Sequence, residues 1–348
     1  MVLHNKYNKE ELKEKLYQEG ISRKTVSYYR YIIIENPQEY RDELYIKFDK
    51  LNIFGRIHLA KEGINAQISV PEANWNKFTE LINQDKYTTG VPLKIAIEDD
   101  GKSFYKLAIR VRDKIVADGL DAGTFDVTNV GNHLNAEQFN NALEDPNAIV
   151  VDIRNHYESE VGHFEGAICP DADTFKDELP IILETLSDKK DKKILMYCTG
   201  GIRCEKASAY LKHHGFKDVN QLYGGIINYT QEVKEKGLEQ KFIGKNFVFD
   251  ERLGERITED IISECHQCGK QCDDHTNCKN DDCHLLFIQC EECAEKHDGC
   301  CTLKCQEIAS LPIEEQRKLR KGENKTDAHS VYKSRLRPNL KEILAAKK

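Results

Sequence analysis

The sequence predicts a multidomain chain of mixed α/β and α+β class, and three observations carry that expectation. Its 348 residues exceed what one ordinary core organises. The apolar pattern changes period along the chain. Ten of its thirteen cysteines crowd into residues 265–305, with only Cys169, Cys198 and Cys204 outside. Four parts follow: an α+β domain over residues 1–125, a parallel α/β domain over 126–240, a cysteine-rich module over 241–310 and a basic tail over 311–348.

The opening stretch MVLHNKYNKEELKEK is polar and charged, and no run approaches eighteen apolar residues. Neither a signal peptide nor a membrane span is expected, so the chain reads as cytoplasmic. In a reducing cytosol, thirteen cysteines point to metal ligation or thiol chemistry rather than to disulfides. The net charge of −8 does not announce a polyanion binder. Its distribution is uneven: residues 311–348 hold eleven Lys or Arg against five Asp or Glu, a net of +6 that leaves −14 for the rest.

In the first part, residues 29–34 read as a strand, 37–51 as a helix, and 53–70 as two strands turning near Lys61-Glu62-Gly63. Residues 71–82 open on Pro-Glu and read as a helix; residues 93–97 read as a strand. The order βαββαβ is the ferredoxin-like split arrangement, the acylphosphatase-like type of domain, a scaffold that says little about function alone. After it, Tyr105, Leu107, Ile109 and Val111 alternate with Lys106, Ala108, Arg110 and Arg112, which predicts a strand with one apolar and one basic face. That basic face is either a solvated sheet surface or a platform for phosphates.

In the second part, helix-like residues 135–143 precede a buried-looking strand, Ala148-Ile149-Val150-Val151-Asp152, and a further strand ends at Tyr197. Alternating strands and helices predict a parallel sheet with its ligand crevice at the strands' carboxyl ends. At such an end stands Cys198-Thr199-Gly200-Gly201-Ile202-Arg203-Cys204. Two glycines let the loop curl until backbone N–H groups point at the sulfur, while a helix N-terminus and the Arg203 charge add to the field. All three favour a thiolate or a terminal persulfide, so Cys198 and Arg203 are the expected catalytic pair.

The loop resembles that of a rhodanese-homology domain. Three further motifs, Val151-Asp152-Ile153-Arg154, Gly162-His163-Phe164-Glu165-Gly166-Ala167-Ile168 and Leu222-Tyr223-Gly224-Gly225-Ile226, stand in the matching order. Tyr229 departs from the tryptophan of many rhodaneses, and Cys204 from the usual Ser or Thr. Cys204 is either a resolving thiol or a small helix-capping residue, and capping is the preferred expectation. Four residues separate Cys198 from Arg203, the short loop of sulfurtransferases; related phosphatase loops carry five.

The combination of Leu59-Ala60-Lys61-Glu62-Gly63-Ile64-Asn65-Ala66, the loop Tyr197-Cys198-Thr199-Gly200-Gly201-Ile202-Arg203-Cys204-Glu205-Lys206 and a cysteine-rich end closely resembles the bacterial oxygen-dependent tRNA uridine hydroxylase family. The resemblance covers nearly the whole chain. It implies an oxidoreductase that converts the wobble uridine, position 34 of the tRNA anticodon loop, to 5-hydroxyuridine, with the loop cysteine essential and molecular oxygen as co-substrate. No flavin or nicotinamide, and no stable protein partner, is expected. The alternatives are a sulfurtransferase carrying a persulfide on Cys198 and a noncatalytic protein that binds zinc and RNA.

The cysteine cluster contains tight pairs at Cys265/Cys268 and Cys290/Cys293 and looser ones at Cys278/Cys283 and Cys301/Cys305. Eight thiolates suit two tetrahedral zinc ions, and an interleaved scheme puts the tight pairs on one ion and the loose pairs on the other. Cys272, Cys300, His275 and His284 are credible substitutes, and iron–sulfur ligation is the competing metal reading. So small a segment with little apolar content would hardly fold without metal. Beyond it, residues 311–320 look helical, and Tyr332 lies among Lys333, Arg335 and Arg337, an arrangement that can stack a base and bind phosphates or simply solubilise a tail.

Overall fold

The computed structural model describes residues 9–121, 124–322 and 339–346. Its first part opens with helix α1 (Lys9–Glu19), then β1 (Arg23–Tyr31), α2 (Pro37–Lys50), β2 (Phe54–Ala60), β3 (Gly63–Pro71), α3 (Trp75–Gln84), β4 (Lys94–Ile95) and β5 (Leu107–Val111). The strands form one sheet in the order β4-β1-β3-β2-β5. From β1 to β4 this is the expected βαββαβ unit, with β5 added parallel to β2. One face of the sheet is apolar: Val26, Tyr28, Ile57, Leu59, Ile64, Ala66 and Ile68 pack with Phe48 of α2 and Phe78 of α3. The opposite face is polar and carries Ser27, Tyr29, Asn65, Gln67, Arg56 and His58, which the strand period places together.

Strand β1 begins six residues before the expected start and ends at Tyr31. The apolar residues beyond it do not continue the ladder with β3; the Ile32 and Ile34 N–H groups instead donate to the Glu62 and Lys61 carbonyls, at 3.0 Å each. Helix α1 was not among the expected elements: KEELKEKLYQE is mostly charged, with only Leu12 and Leu16 one turn apart on an apolar side, and Leu16 is buried.

The second part runs β6 (Asn132–Leu134), α4 (Ala136–Leu143), β7 (Ile149–Asp152), α5 (His156–Ser159), β8 (Gly162–Phe164), α6 (Phe175–Thr185), β9 (Lys193–Tyr197), α7 (Ile202–His213), β10 (Asp218–Leu222) and α8 (Gly225–Lys236). Its sheet, ordered β6-β10-β9-β7, is parallel throughout. Residues of α6 and α7 fill the core on one face and residues of α4 and α8 the other, as a buried parallel sheet requires. Tyr229 is buried in that second core and donates to Asn140 Oδ1 at 2.8 Å.

The cysteine-rich part is not a separate bead. Its β11 (Phe242–Asn246) pairs antiparallel with β8 and also with β12 (Glu255–Arg256). Strands β13 (His275–Asn277) and β14 (Leu286–Ile288) then pair with each other, followed by α9 (Glu291–Lys296), α10 (Leu303–Ala309), α11 (Ile313–Gly322) and α12 (Leu340–Ala345). Leu340 of α12 is buried against Cys278, Leu285 and Phe287. The end of the basic tail is therefore part of the module's packing. No helix among the described residues is long and apolar enough to cross a membrane.

Candidate active site and metal centres

Cys198 follows the last residue of β9 and is fully buried. Gly201, at φ +93°, turns the chain into α7 and points its N–H at the Cys198 sulfur, 3.1 Å away. Burial by itself raises the thiol pKa. A hydrogen bond from the Cys204 thiol, the Arg203 charge and the Cys204 and Arg203 backbone N–H groups outweigh it and bring the value down from 9.0 to about 6. The loop is closed from behind by Gly225, where an added Cβ would lie 2.4 Å from the Cys198 carbonyl oxygen.

The expectation that Cys204 caps the helix is corrected here. Helix α7 starts at Ile202 with Gly201 as its cap, so Arg203 and Cys204 already lie within its first turn. The Cys204 thiol turns to Cys198 instead, and burial together with that thiolate keeps it protonated.

Arg203 is clamped from the side. Its two terminal nitrogens donate to the two Glu158 oxygens at 2.6 and 2.8 Å, and Thr199 Oγ1 lies 3.4 Å from both partners. Burial opposes the guanidinium charge, and the Glu158 carboxylate more than offsets it. Glu158 is placed by a capping box on α5, where its side chain accepts from Asn155 N–H at 3.1 Å. Nearby Glu178 is fully buried with neither oxygen hydrogen-bonded, and burial holds it protonated.

The thiol loop forms one wall of a cavity of about 370 Å³, and the polar face of the first sheet forms the opposite wall. Tyr29, Arg56, His58, Asn65 and Gln67 line it from above, while Cys198, Thr199, Gly200, Ile202 and Arg203 line it from below. Three bonds tie roof to loop: Tyr29 Oη to Glu205 at 2.9 Å, Tyr31 Oη to the Ile202 carbonyl at 3.3 Å, and Lys206 Nζ to Glu62 at 3.0 Å. Lys206 is buried and also donates to Asp118 at 2.6 Å.

The expected basic row continues this roof outward. Arg110 pairs with His58 and Ala108 with Arg56, so Arg110, Arg112 and Lys106 extend the cavity's polar face, and all three are exposed. Burial, and then the charges of Arg56, Arg112 and Arg110, depress the His58 pKa to about 4, so that imidazole is neutral near pH 7. Lys333, Arg335 and Arg337, with Tyr332, lie outside the described residues.

The structure brings eight cysteines into two quartets, Cys265, Cys268, Cys290 and Cys293, and Cys278, Cys283, Cys301 and Cys305. Within each, the sulfurs lie within 4.8 Å of one another, and the closest separations are 3.6 and 3.7 Å. A tetrahedron of ~2.3 Å metal–sulfur bonds has edges of about 3.8 Å, so each quartet fits the shell of a single ion. A multi-iron cluster would hold its cysteines further apart. Cys272 and Cys300 are buried outside the quartets, and neither His275 nor His284 belongs to one.

Three family models match: the UPF0176 acylphosphatase like domain over residues 23–115, the Rhodanese-like domain over 135–232 and Rhodanase C-terminal over 243–306. A tRNA uridine(34) hydroxylase of Leptospira interrogans is 58% identical over 98% of this chain and 93% of its own. Proteins of the same name from Enterobacter sp. and Escherichia fergusonii are 56% and 55% identical, each over 98% of this chain and 97% of their own. The chain belongs to the tRNA uridine(34) hydroxylase family.

For a member of the hydroxylase family, the sequence pointed to Cys198, Arg203 and the intervening loop, and the structure brings these into one wall of the cavity. What it did not reveal is the set of groups that hold them. The Asn155-His156-Tyr157-Glu158 spacing is a capping-box signal that could have singled out Glu158. Glu62, Asp118, Tyr29 and Lys206 meet across domains and carry no local signal at all.

Proposed function

We propose that this chain converts uridine 34 of tRNA to 5-hydroxyuridine in the cytoplasm, with Cys198 as nucleophile and molecular oxygen as oxidant. The observation that carries this reading is a buried thiol with a pKa of about 6 at the floor of a cavity roofed by a polar sheet face. An anticodon-loop base is already single-stranded and can be turned into such a pocket at modest cost.

The Cys198 thiolate attacks C6 of uracil; a C–S bond forms, the C5–C6 π pair shifts toward C5 and O4, and an enolate results. The Arg203 charge and the loop N–H groups act on the charge as it leaves sulfur. The C5 carbanion captures oxygen and, on protonation, becomes a C5 hydroperoxide. Two electrons and two protons from a thiol-class reductant cleave the O–O bond to a C5 hydroxyl and water. Loss of the C5 proton then expels the Cys198 thiolate and restores the C5–C6 double bond. Lys106, Arg110 and Arg112 lie where anticodon-loop phosphates would run as the base enters.

Each cysteine quartet holds one zinc ion in this reading, as a structural brace outside the chemistry; the mononuclear sulfur spacing supports it. A second reading, persulfide transfer, is favoured by the Gly201 N–H aimed at the sulfur, which suits a persulfide anion as well. Nucleoside mass spectrometry of tRNA decides between them. A strain lacking the gene should lose 5-hydroxyuridine, the intact gene should restore it and a Cys198→Ser gene should not. Full restoration by the serine variant would end the thiolate and persulfide mechanisms together.

A further inference from the structure

We propose that Lys94 is a further catalytic and base-selecting residue, its ammonium donating a hydrogen bond to O4 of the bound uracil. The inference rests on the hydroxylase reading and adds to it a group on the roof of the cavity. Lys94 sits on the short edge strand β4, where it pairs with Ser27 of β1, and its side chain lines the same cavity as Cys198. It is only 8% exposed. Its Nζ lies 4.2 Å from the centroid of the Tyr29 ring. Tyr29 reaches the other way to the thiol loop: its hydroxyl donates to Glu205, and a Cβ placed on Gly201 would meet it at 2.9 Å. One aromatic ring therefore spans the gap between Lys94 and the Cys198 loop.

No carboxylate among the described residues pairs with the Lys94 ammonium. A buried cation set against a ring face, with no ion pair among the described residues, is costly unless something else accepts its protons. Burial lowers its pKa from 10.5 to about 8, and the Cys198 thiolate and Glu205 oppose that fall. The group thus remains protonated near pH 7 while having hydrogens to offer. What the reaction creates is a matching acceptor. When the Cys198 sulfur bonds to C6, the displaced electron pair delocalises from C5 onto O4, and an ammonium at O4 stabilises the charge as it develops.

The same placement selects the base. Uracil presents an accepting oxygen at C4, whereas cytosine presents an amino donor there, and an ammonium has no lone pair to receive it. Cytosine in this position leaves two donors facing each other in a closed site, a mismatch of the kind that discriminates strongly.

Lys94→Met and Lys94→Arg are compared with the full-length protein on anticodon stem-loops carrying U34 or C34. Single-turnover hydroxylation, oxygen-free exchange of the C5 hydrogen with heavy water and equilibrium binding are all measured. Lys94→Met should slow both hydroxylation and exchange by about 100-fold, as loss of an oxyanion donor does, and the preference for binding U34 over C34 should fall by about tenfold. Lys94→Arg keeps the charge, moves the donor and should recover part of the rate. An unchanged U34 preference, or a rate loss below roughly threefold in Lys94→Met, overturns the role of Lys94 alone. Should Lys94→Met fail to fold, a Lys94→Arg protein equal to the parent in rate and preference overturns it too. A parent protein that leaves U34 unmodified overturns the hydroxylase reading itself, and Lys94's part with it.

Discussion

At the scale of single residues, Cys198 combines two properties that usually exclude each other, full burial and ready ionisation. Burial penalises the thiolate, and the Cys204 thiol, Arg203 and backbone donors reverse the penalty. The sign of the pH dependence follows. With its pKa lowered to about 6, the thiolate is present above that value and lost as pH falls through it, so single-turnover hydroxylation should rise with pH to an inflection near 6. An inflection near 9, the value of an ordinary thiol, would show that the loop does not activate its sulfur. Glu158 does its work through Arg203. Glu158→Gln leaves a buried guanidinium without its anion and should lower the unfolding free energy by about 3 kcal/mol or more, read from denaturant melts.

At the scale of elements, the candidate active site lies between helix α7 and the polar face of the β4-β1-β3-β2-β5 sheet. Lys206 anchors that helix to Glu62 on the β2–β3 turn and to Asp118. Lys206→Met should therefore reduce activity by separating roof from loop while leaving the second part's own sheet folded, a pairing that activity assays and hydrogen exchange can test. On β5, replacing Arg110 and Arg112 by Gln should weaken tRNA binding and reduce its salt slope by about one for each phosphate no longer neutralised. Much of this was legible: the basic row at Lys106, Arg110 and Arg112 follows the period of two, and the strand leading to Cys198 is the continuous apolar run of a sheet buried on both faces. The start of β1 was not, because Arg23, Lys24, Thr25 and Ser27 look polar enough for a loop. Thr25, Ser27 and Tyr29 are polar in that strand because they line a cavity, and the sequence of β1 contains no sign of the wall opposite. The apolar Ile32 and Ile34 drew the expected strand beyond its true end.

At the scale of the whole molecule, the cysteine-rich end and the thiol loop share structure. Tyr157 and Val161 pack in one apolar cluster with Phe247 and three cysteines of the first quartet, Cys265, Cys290 and Cys293, and Tyr157 is adjacent to Glu158. Metal loss should thus reach Arg203 through α5. Chelation should release two ions per chain, lower thermal stability and abolish activity together; retention of full activity by metal-free protein would separate the module from the site. The pairing of cysteines was readable from spacing, since C-x-x-C pairs announce ligands, whereas the docking of α12 was hidden in a segment that looked merely basic. Leu340 is buried in the second quartet's core, so removing residues 311–348 tests packing and RNA binding at once. Replacing Lys333, Arg335 and Arg337 by Gln is the cleaner comparison, with weaker tRNA affinity as the expected result.

The cavity has two owners. The sulfur belongs to a loop at the end of the rhodanese-like sheet, while the polar wall opposite it, with Tyr29, Arg56, His58, Asn65 and Gln67, belongs to another domain more than a hundred residues earlier. Grafted into a solitary rhodanese-like domain, these seven residues would come without the polar wall that faces the sulfur here and without Glu158 to hold Arg203.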